Sequence, residues 1–323
     1  MRWPTLLVLV VAAAAGAVAL AVPAGASHPG RNGTLLFDRP TKGGGVDLFS
    51  VSADGSGLTR LTDRKGLGDA SWSPDGSKIV AGCAKNPERP PWEICVINAD
   101  GSGLTRLTRH RGFSIAPAWS PDGTKIVYAT TKDGEFLRLY VMNADGSGKQ
   151  RLTRNRRGTD YTDPQWSPDG DTIAFAILKS GETNRAFDSS IALIDAADGG
   201  NLRRLTSPGG ADELNPNWSP DGASIAFEVN RLFNVRQSDI WLMSADGSGK
   251  RPLTQTRFYE TYPAFSPDGT RIAFAGDRDN RNLSTGRLER GFEIYTMATD
   301  GSDVTRVTDN RRPDLFPDWQ PLR

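Results

Sequence analysis

A chain of 323 residues with 37% hydrophobic and 24% charged side chains can bury a large core, which excludes a disordered segment and a membrane channel. With 39 Lys and Arg against 38 Asp and Glu, no net charge draws it toward nucleic acid or anionic lipid, and neither is expected as a partner.

At the N-terminus, Arg2 precedes an apolar run over 6–22 and small residues at 23–26, the pattern of a signal peptide cleaved after Ala26. An uncleaved N-terminal anchor is the alternative, because the run is nearly long enough to span a bilayer. No other membrane insertion is expected. Either way the folded part is predicted to be secreted or periplasmic, at the cell envelope. No cysteine stands in the apolar run or at its end, so a lipid anchor is not read. Arg2 is the only charge removed, which leaves 38 basic against 38 acidic residues.

Beyond the leader one unit recurs. WSPDG stands at 72–76, 119–123, 166–170 and 218–222, FSPDG at 265–269, and Trp319-Gln320-Pro321 is a worn sixth copy. The spacings of 47, 47, 52, 47 and 54 residues signal a repeat architecture. In the third unit the motif leads to short β-runs at 125–129 and 138–142, an Asp145-Gly146 turn and a last run at 151–153. Ser-Pro-Asp-Gly suits a hairpin because Pro presets φ, Asp tolerates the third turn position and Gly takes the positive φ that follows. The second turn recurs at Asp54, Asp100, Asp145, Asp198, Asp246 and Asp300, and Leu-Thr or Val-Thr at Leu61, Leu107, Leu152, Leu205, Leu253 and Val307.

Four antiparallel strands per unit make a propeller blade. Residues 33–37 enter the repeat at its second strand, whereas 316–320 supply only a first strand. The prediction is therefore an all-β, six-bladed β-propeller over 27–323, with the C-terminal strand completing the first blade. The blades are 32–62 plus 316–321, 69–108, 116–153, 163–206, 215–254 and 262–308. Closure by both chain ends removes exposed sheet edges, and a monomer is expected.

The WSPDG motif, the Ile-Ala-Phe-like run after it, the Asp-Gly turn and the Leu-Thr pair resemble the repeat of the TolB-like β-propeller family. The resemblance covers the propeller and not the α/β domain that precedes it in TolB, for which the chain leaves no room after the predicted cleavage site. It implies a protein-interaction module of the envelope, but the repeat also serves proteins of several activities, and fold alone does not fix function.

Catalytic signatures are thin, and no catalytic residue, metal or cofactor is predicted. Gly112-Phe113-Ser114-Ile115-Ala116 is the nearest approach to a nucleophile elbow and lacks its strand-to-helix context. The only histidines, His28 and His110, argue against a zinc site or a triad. Residues 277–282 alternate oxygen donors, but Arg stands where a calcium loop wants oxygen, so calcium is a poor fit. Asp75, Asp122, Asp169, Asp221 and Asp268 form a set of carboxylates that turn formation explains. The alternative to a non-catalytic module is a saccharide-binding or lyase-like propeller acting on an anionic glycan, whose carboxylate chemistry would not need His.

Three further expectations concern individual side chains. Trp72, Trp119, Trp166, Trp218, Phe265 and Trp319 are read as wedges between blades, each burying on the order of 200 Å². Cys83 and Cys95, an isolated pair in an exported protein, are read as a disulfide, with two free buried thiols as the alternative. The loops between blades and between second and third strands vary in length and are rich in arginine, unlike the uniform Pro-Asp-Gly and Asp-Gly turns. Arg109, Arg111, Arg154, Arg156, Arg157, Arg257, Arg311 and Arg312, with Arg231 and Arg236 between strands, are the candidate surface for an envelope protein or an anionic glycan.

Overall fold

The runs of the repeat are short, apolar and rich in β-branched and aromatic residues, and their turns carry Pro, Asp and Gly where a tight reversal needs them. The computed structural model describes residues 28–41, 45–63, 66–86, 89–154, 156–179, 188–207, 211–231, 238–278, 281–282, 287–288 and 291–322. The predicted signal peptide and Arg236 lie outside them.

Six four-stranded antiparallel sheets form the six-bladed propeller that the repeat predicts. The second blade comprises Leu67–Trp72, Lys78–Asn86, Arg89–Asn98 and Thr105–Arg106, and the third Ser114–Trp119, Lys125–Thr130, Arg138–Asn143 and Gln150–Arg151. The fourth is Thr159–Trp166, Thr172–Lys179, Asp188–Asp195 and Arg203–Arg204; the fifth is Asp212–Trp218, Ser224–Asn230, Ser238–Ser244 and Arg251–Pro252. The sixth is Glu260–Phe265, Arg271–Gly276, Glu293–Ala298 and Thr305–Arg306, with a small hairpin of Arg281–Asn282 and Arg287–Leu288 between its second and third strands. Blade one is closed by both chain ends: Leu315–Leu322 pairs with Arg31–Pro40, placing Trp319 opposite Leu35 and Asp318 opposite Leu36, and Val46–Val51 and Thr59–Arg60 follow.

The fourth strand is only two residues long in every blade and stops just before the Leu-Thr pair. That pair ends the sheet. The backbone N–H groups of Leu48, Ile94, Leu139, Ile191, Ile240 and Ile294 donate to the hydroxyls of Thr62, Thr108, Thr153, Thr206, Thr254 and Thr308 at 2.8–3.0 Å. In return the N–H of the preceding Leu or Val donates to the carbonyl of the same third-strand residue. The outermost ladder is thereby satisfied by a side chain, and little edge is left for another chain to extend.

The first strands of neighbouring blades touch all the way round, so they form the innermost ring. Each carries a register shift three residues before its aromatic residue. Asp69, Ala116, Asp163, Asn215, Tyr262 and Phe316 occupy that place with φ between 53° and 58°, a left-handed conformation that non-glycine residues rarely adopt.

Candidate functional site

Because the first strand runs inward to the Pro-Asp-Gly turn, both sets of uniform turns lie on one face of the ring and the variable connections on the other. On the turn face the sequence fixes its own geometry. Ser73 Oγ donates to Asp75 Oδ1 at 2.6 Å, and the Gly76 N–H closes the reversal on the Ser73 carbonyl. Hydrogen bonds from Ser167 and from the Asp171 backbone hold the Asp169 carboxyl below its ordinary range. Every carboxylate of this set is engaged in its own turn: Asp75, Asp122, Asp169, Asp221 and Asp268 each accept from the Ser two residues earlier.

The first-strand aromatics are buried, from Trp72 at 2% exposed to Trp218 at 5%. Each belongs to a cluster with side chains of the preceding blade: Trp119 with Val80, Ile94 and Val96, Trp218 with Ala174, Ile191 and Leu193, Phe265 with Ala226 and Ile240. In blade two Cys95 stands opposite Ala81 and Cys83 opposite Glu93, a diagonal pair on adjacent strands. Their sulfurs are bonded across a Cα–Cα distance of 5.9 Å.

On the connector face Arg109, Arg111, Arg154, Arg156, Arg157, Arg257 and Arg311 are exposed and Arg312 is half-buried. Arg312 Nη1 donates to the Pro40 carbonyl at 3.2 Å, so it secures a neighbouring loop, and Arg257 also has a partner. The first five flank blade three, on the connections into it and out of it. Among the described residues none of those five, nor Arg311, makes an ion pair. Several arginines of the blades behave otherwise. Arg39 grips the buried Asp314 with Nε at 2.6 Å and Nη2 at 2.7 Å, Arg60 pairs with buried Asp47, and Arg306 with buried Glu293. Arg138, which sits in no motif, is buried and ties down the 154–159 connector by donating to the carbonyls of Thr159 and Arg156 at 2.7 and 3.0 Å. Those bonds hold the backbone at Arg156, beside Arg157.

Inside the ring, acids serve the left-handed positions. Turning φ positive takes the backbone N–H out of its ladder, and at four of the six positions a carboxylate from the preceding blade receives it. Asp38 accepts from the Asp69 N–H, and Asp69 from the Ala116 N–H at 2.6 Å. Asp163 accepts from Asn215, and Glu228 from Tyr262. Burial pushes all four carboxyls up, Asp163 to about 7, and it raises the Tyr262 hydroxyl too, with Glu228, Asp163 and Asp69 adding to the rise. This group is spread around the ring, and no set of three metal-ligating side chains converges among the described residues.

Ser114 does meet a histidine, with His110 Nε2 2.8 Å from its hydroxyl. The wiring is unlike that of a nucleophile. His110 Nδ1 accepts the Gly112 N–H at 3.0 Å, so in the neutral ring the proton sits on Nε2, which donates to Ser114 instead of removing its proton. Ser114 passes its own hydrogen to Thr130 at 3.1 Å, and Thr130 donates to the Phe113 carbonyl. Burial lowers the His110 pKa, keeping the ring neutral. His28 is also buried, which lowers its pKa to about 4. Asp277 accepts the Tyr259 N–H, and Arg278 pairs with Glu260; residues 279–280 of the calcium candidate lie outside the described residues.

Residues 68–207 match the family model of the TolB β-propeller domain. The chain is 35% identical over 124 residues to the Tol-Pal system protein TolB of Anaeromyxobacter dehalogenans, a stretch that covers 38% of this chain and 25% of that protein. It is 29% identical over 109 residues to an uncharacterized peptidase of Bacillus subtilis, YuxL, covering 33% and 15%. The match thus spans a quarter or less of each of these relatives. Among solved structures, TolB from Acinetobacter baumannii superposes with a TM-score of 0.70 at 21% identity, over 90% of this chain and 67% of that one. Over residues 68–207 the chain is thus similar to the TolB β-propeller domain, and its ring of blades has the fold of these solved propellers.

Proposed function

We propose that this is an exported, non-catalytic propeller of the cell envelope that receives an acidic segment of a protein partner on its connector face. The carrying observation is the contrast between two sets of arginines. Arg39, Arg60, Arg106 and Arg306 of the blades pair with buried carboxylates, whereas Arg109, Arg111, Arg154, Arg156 and Arg157 stand exposed around blade three without an acidic partner among the described residues. Guanidinium forks held on a fixed backbone suit carboxylate recognition, because each can bind two oxygens at once. The TolB relatives support an envelope protein as the partner class.

The test uses the purified chain as bait on envelope extract, beside a variant with Arg154, Arg156 and Arg157 all changed to Glu. The proposal expects a discrete captured protein, identified by mass spectrometry, that the variant loses and that salt weakens. Equal capture by the variant ends it. Incubation with anionic polysaccharides should release no unsaturated, ultraviolet-absorbing product; such a product would make the protein a lyase instead.

A further inference from the structure

Blade five breaks the repeat at several positions that the scaffold does not require, and they meet in one cleft. A cavity of about 260 Å³ lies on blade five, beside Ser207 and Ala211, the described residues nearest the link from blade four. Its walls are Ala211, Val229, Trp241, Glu213, Lys250 and Arg231, with Ser207 at the margin. In blades one, two, three, four and six the third-strand residue at the place of Trp241 faces an arginine of the fourth strand, as Cys95 faces Arg106 and Tyr295 faces Arg306. In blade five it faces Pro252. The change removes a long cation that would cover the indole.

A second exchange frees a charge. In blade six Arg278, which follows the second strand, pairs with Glu260 of the first strand. The corresponding residues of blade five are Arg231 and Glu213, but there Lys250 Nζ takes Glu213 Oε1 at 2.7 Å. Arg231 is left exposed, its guanidinium 5.6 Å from the centre of the Trp241 ring and without a carboxylate among the described residues. Glu213 is itself buried, 6% exposed, and its Oε2 has no hydrogen-bond partner among the described residues. One cavity therefore holds a free guanidinium, an unfilled carboxylate oxygen, an indole and two small apolar walls.

We infer that this cleft binds a small monocarboxylate built on a ring and carrying a hydrogen-bond donor. The ligand's carboxylate would pair with Arg231, its ring would lie against Trp241 and Val229, and its donor would reach Glu213 Oε2. The cavity is somewhat smaller than those that take drug-sized ligands, roughly 300–1,000 Å³, which limits the ligand to one ring. The ring can be a sugar acid or an aromatic acid, and the probes separate the two. This site lies on blade five, away from the arginines around blade three, and it stands or falls independently of the proposed partner.

The experiment is ligand-observed NMR and calorimetry on the mature chain with glucuronate, 4-hydroxyphenylacetate and the neutral 4-hydroxyphenylacetamide. One of the two carboxylates should bind, 4-hydroxyphenylacetamide should not, and Arg231→Gln should weaken binding by about tenfold or more, the loss expected for one charge-assisted contact. Arg231 is exposed, so the variant should melt with the parent, and Arg231→Lys should retain part of the affinity. If neither carboxylate binds at millimolar concentration, or 4-hydroxyphenylacetamide or Arg231→Gln binds as well, the inference is wrong.

Discussion

Asp163 shows how one residue can combine two difficult roles. Its backbone adopts a positive φ, while its carboxyl, fully buried, accepts from Thr162 Oγ1 at 2.9 Å and from the Asn215 backbone. Burial raises its pKa to about 7, against an ordinary value near ~4. The sign follows from proton uptake: between about pH 4 and 7 the folded protein keeps a proton that the unfolded chain has lost, so this residue's contribution to stability falls as pH rises. Asp163→Asn keeps an acceptor for the Asn215 N–H and removes the titration. The melting temperature of the variant relative to the parent should therefore be higher at pH 8 than at pH 5. The same relative value at both pH values would mean that Asp163 is ionised in the fold. Glu228, Asp69 and Tyr262 are coupled to Asp163, so the difference reports the Asp163 charge together with its pull on their ionisation.

At the scale of the element, each Asp-Gly turn of one blade leans on the Leu-Thr end of the one before. A Cβ on Gly101, whose φ is +82°, would lie 1.9 Å from the Leu61 carbonyl oxygen. Gly199 meets the Leu152 carbonyl at 2.0 Å and Gly301 that of Leu253 at 2.4 Å. Gly57, with φ at +67°, has only Ser52 Oγ nearby, at 3.6 Å. Gly57→Ala should therefore cost about 1 kcal/mol, the penalty of a left-handed alanine. Gly101→Ala should cost about 2–4 kcal/mol, because the turn must also move off the preceding blade. Denaturant unfolding of the pair decides it, and equal losses would show that the contact between blades contributes nothing. These turns were legible in the sequence because their chemistry is local: Pro, Asp and Gly shape the reversal by themselves. The register shifts of the inner strands were not. Ala116 and Phe316 carry no sign of a positive φ, and the group that accepts the Ala116 N–H is Asp69, 47 residues away. The cleft of blade five was hidden for a related reason, since Trp241, Pro252 and Lys250 gain meaning only when strands are laid side by side.

For the whole molecule the question is how a ring made of nearest-neighbour contacts is held shut. The sequence announced the closing segment, since a lone first strand at one end matches a blade missing its first strand at the other. It did not announce how many bonds the segment carries. Leu315–Leu322 fills the inner place of blade one, Asp318 Oδ2 accepts the Trp72 N–H at 2.7 Å, and Gln320 Nε2 donates to the Gly76 carbonyl at 3.2 Å, so the strand joins blade one to blade two. From the other chain end the Gly30 N–H reaches the Pro267 carbonyl at 3.1 Å and Asn32 Oδ1 receives the Asp268 N–H at 3.1 Å, joining blade one to blade six. Removing residues 314–323 would uncover the Arg31–Pro40 strand, leave Trp72 without its acceptor and strand Arg39 without Asp314. An open, hydrophobic inner edge recruits another strand, so the truncated chain should associate on gel filtration and lose its cooperative melt. A synthetic peptide of 314–323 added during refolding should restore the monomer, as a donated strand does elsewhere. A truncated chain that stays monomeric and melts at the parent temperature would show that the six blades cohere without a closing strand.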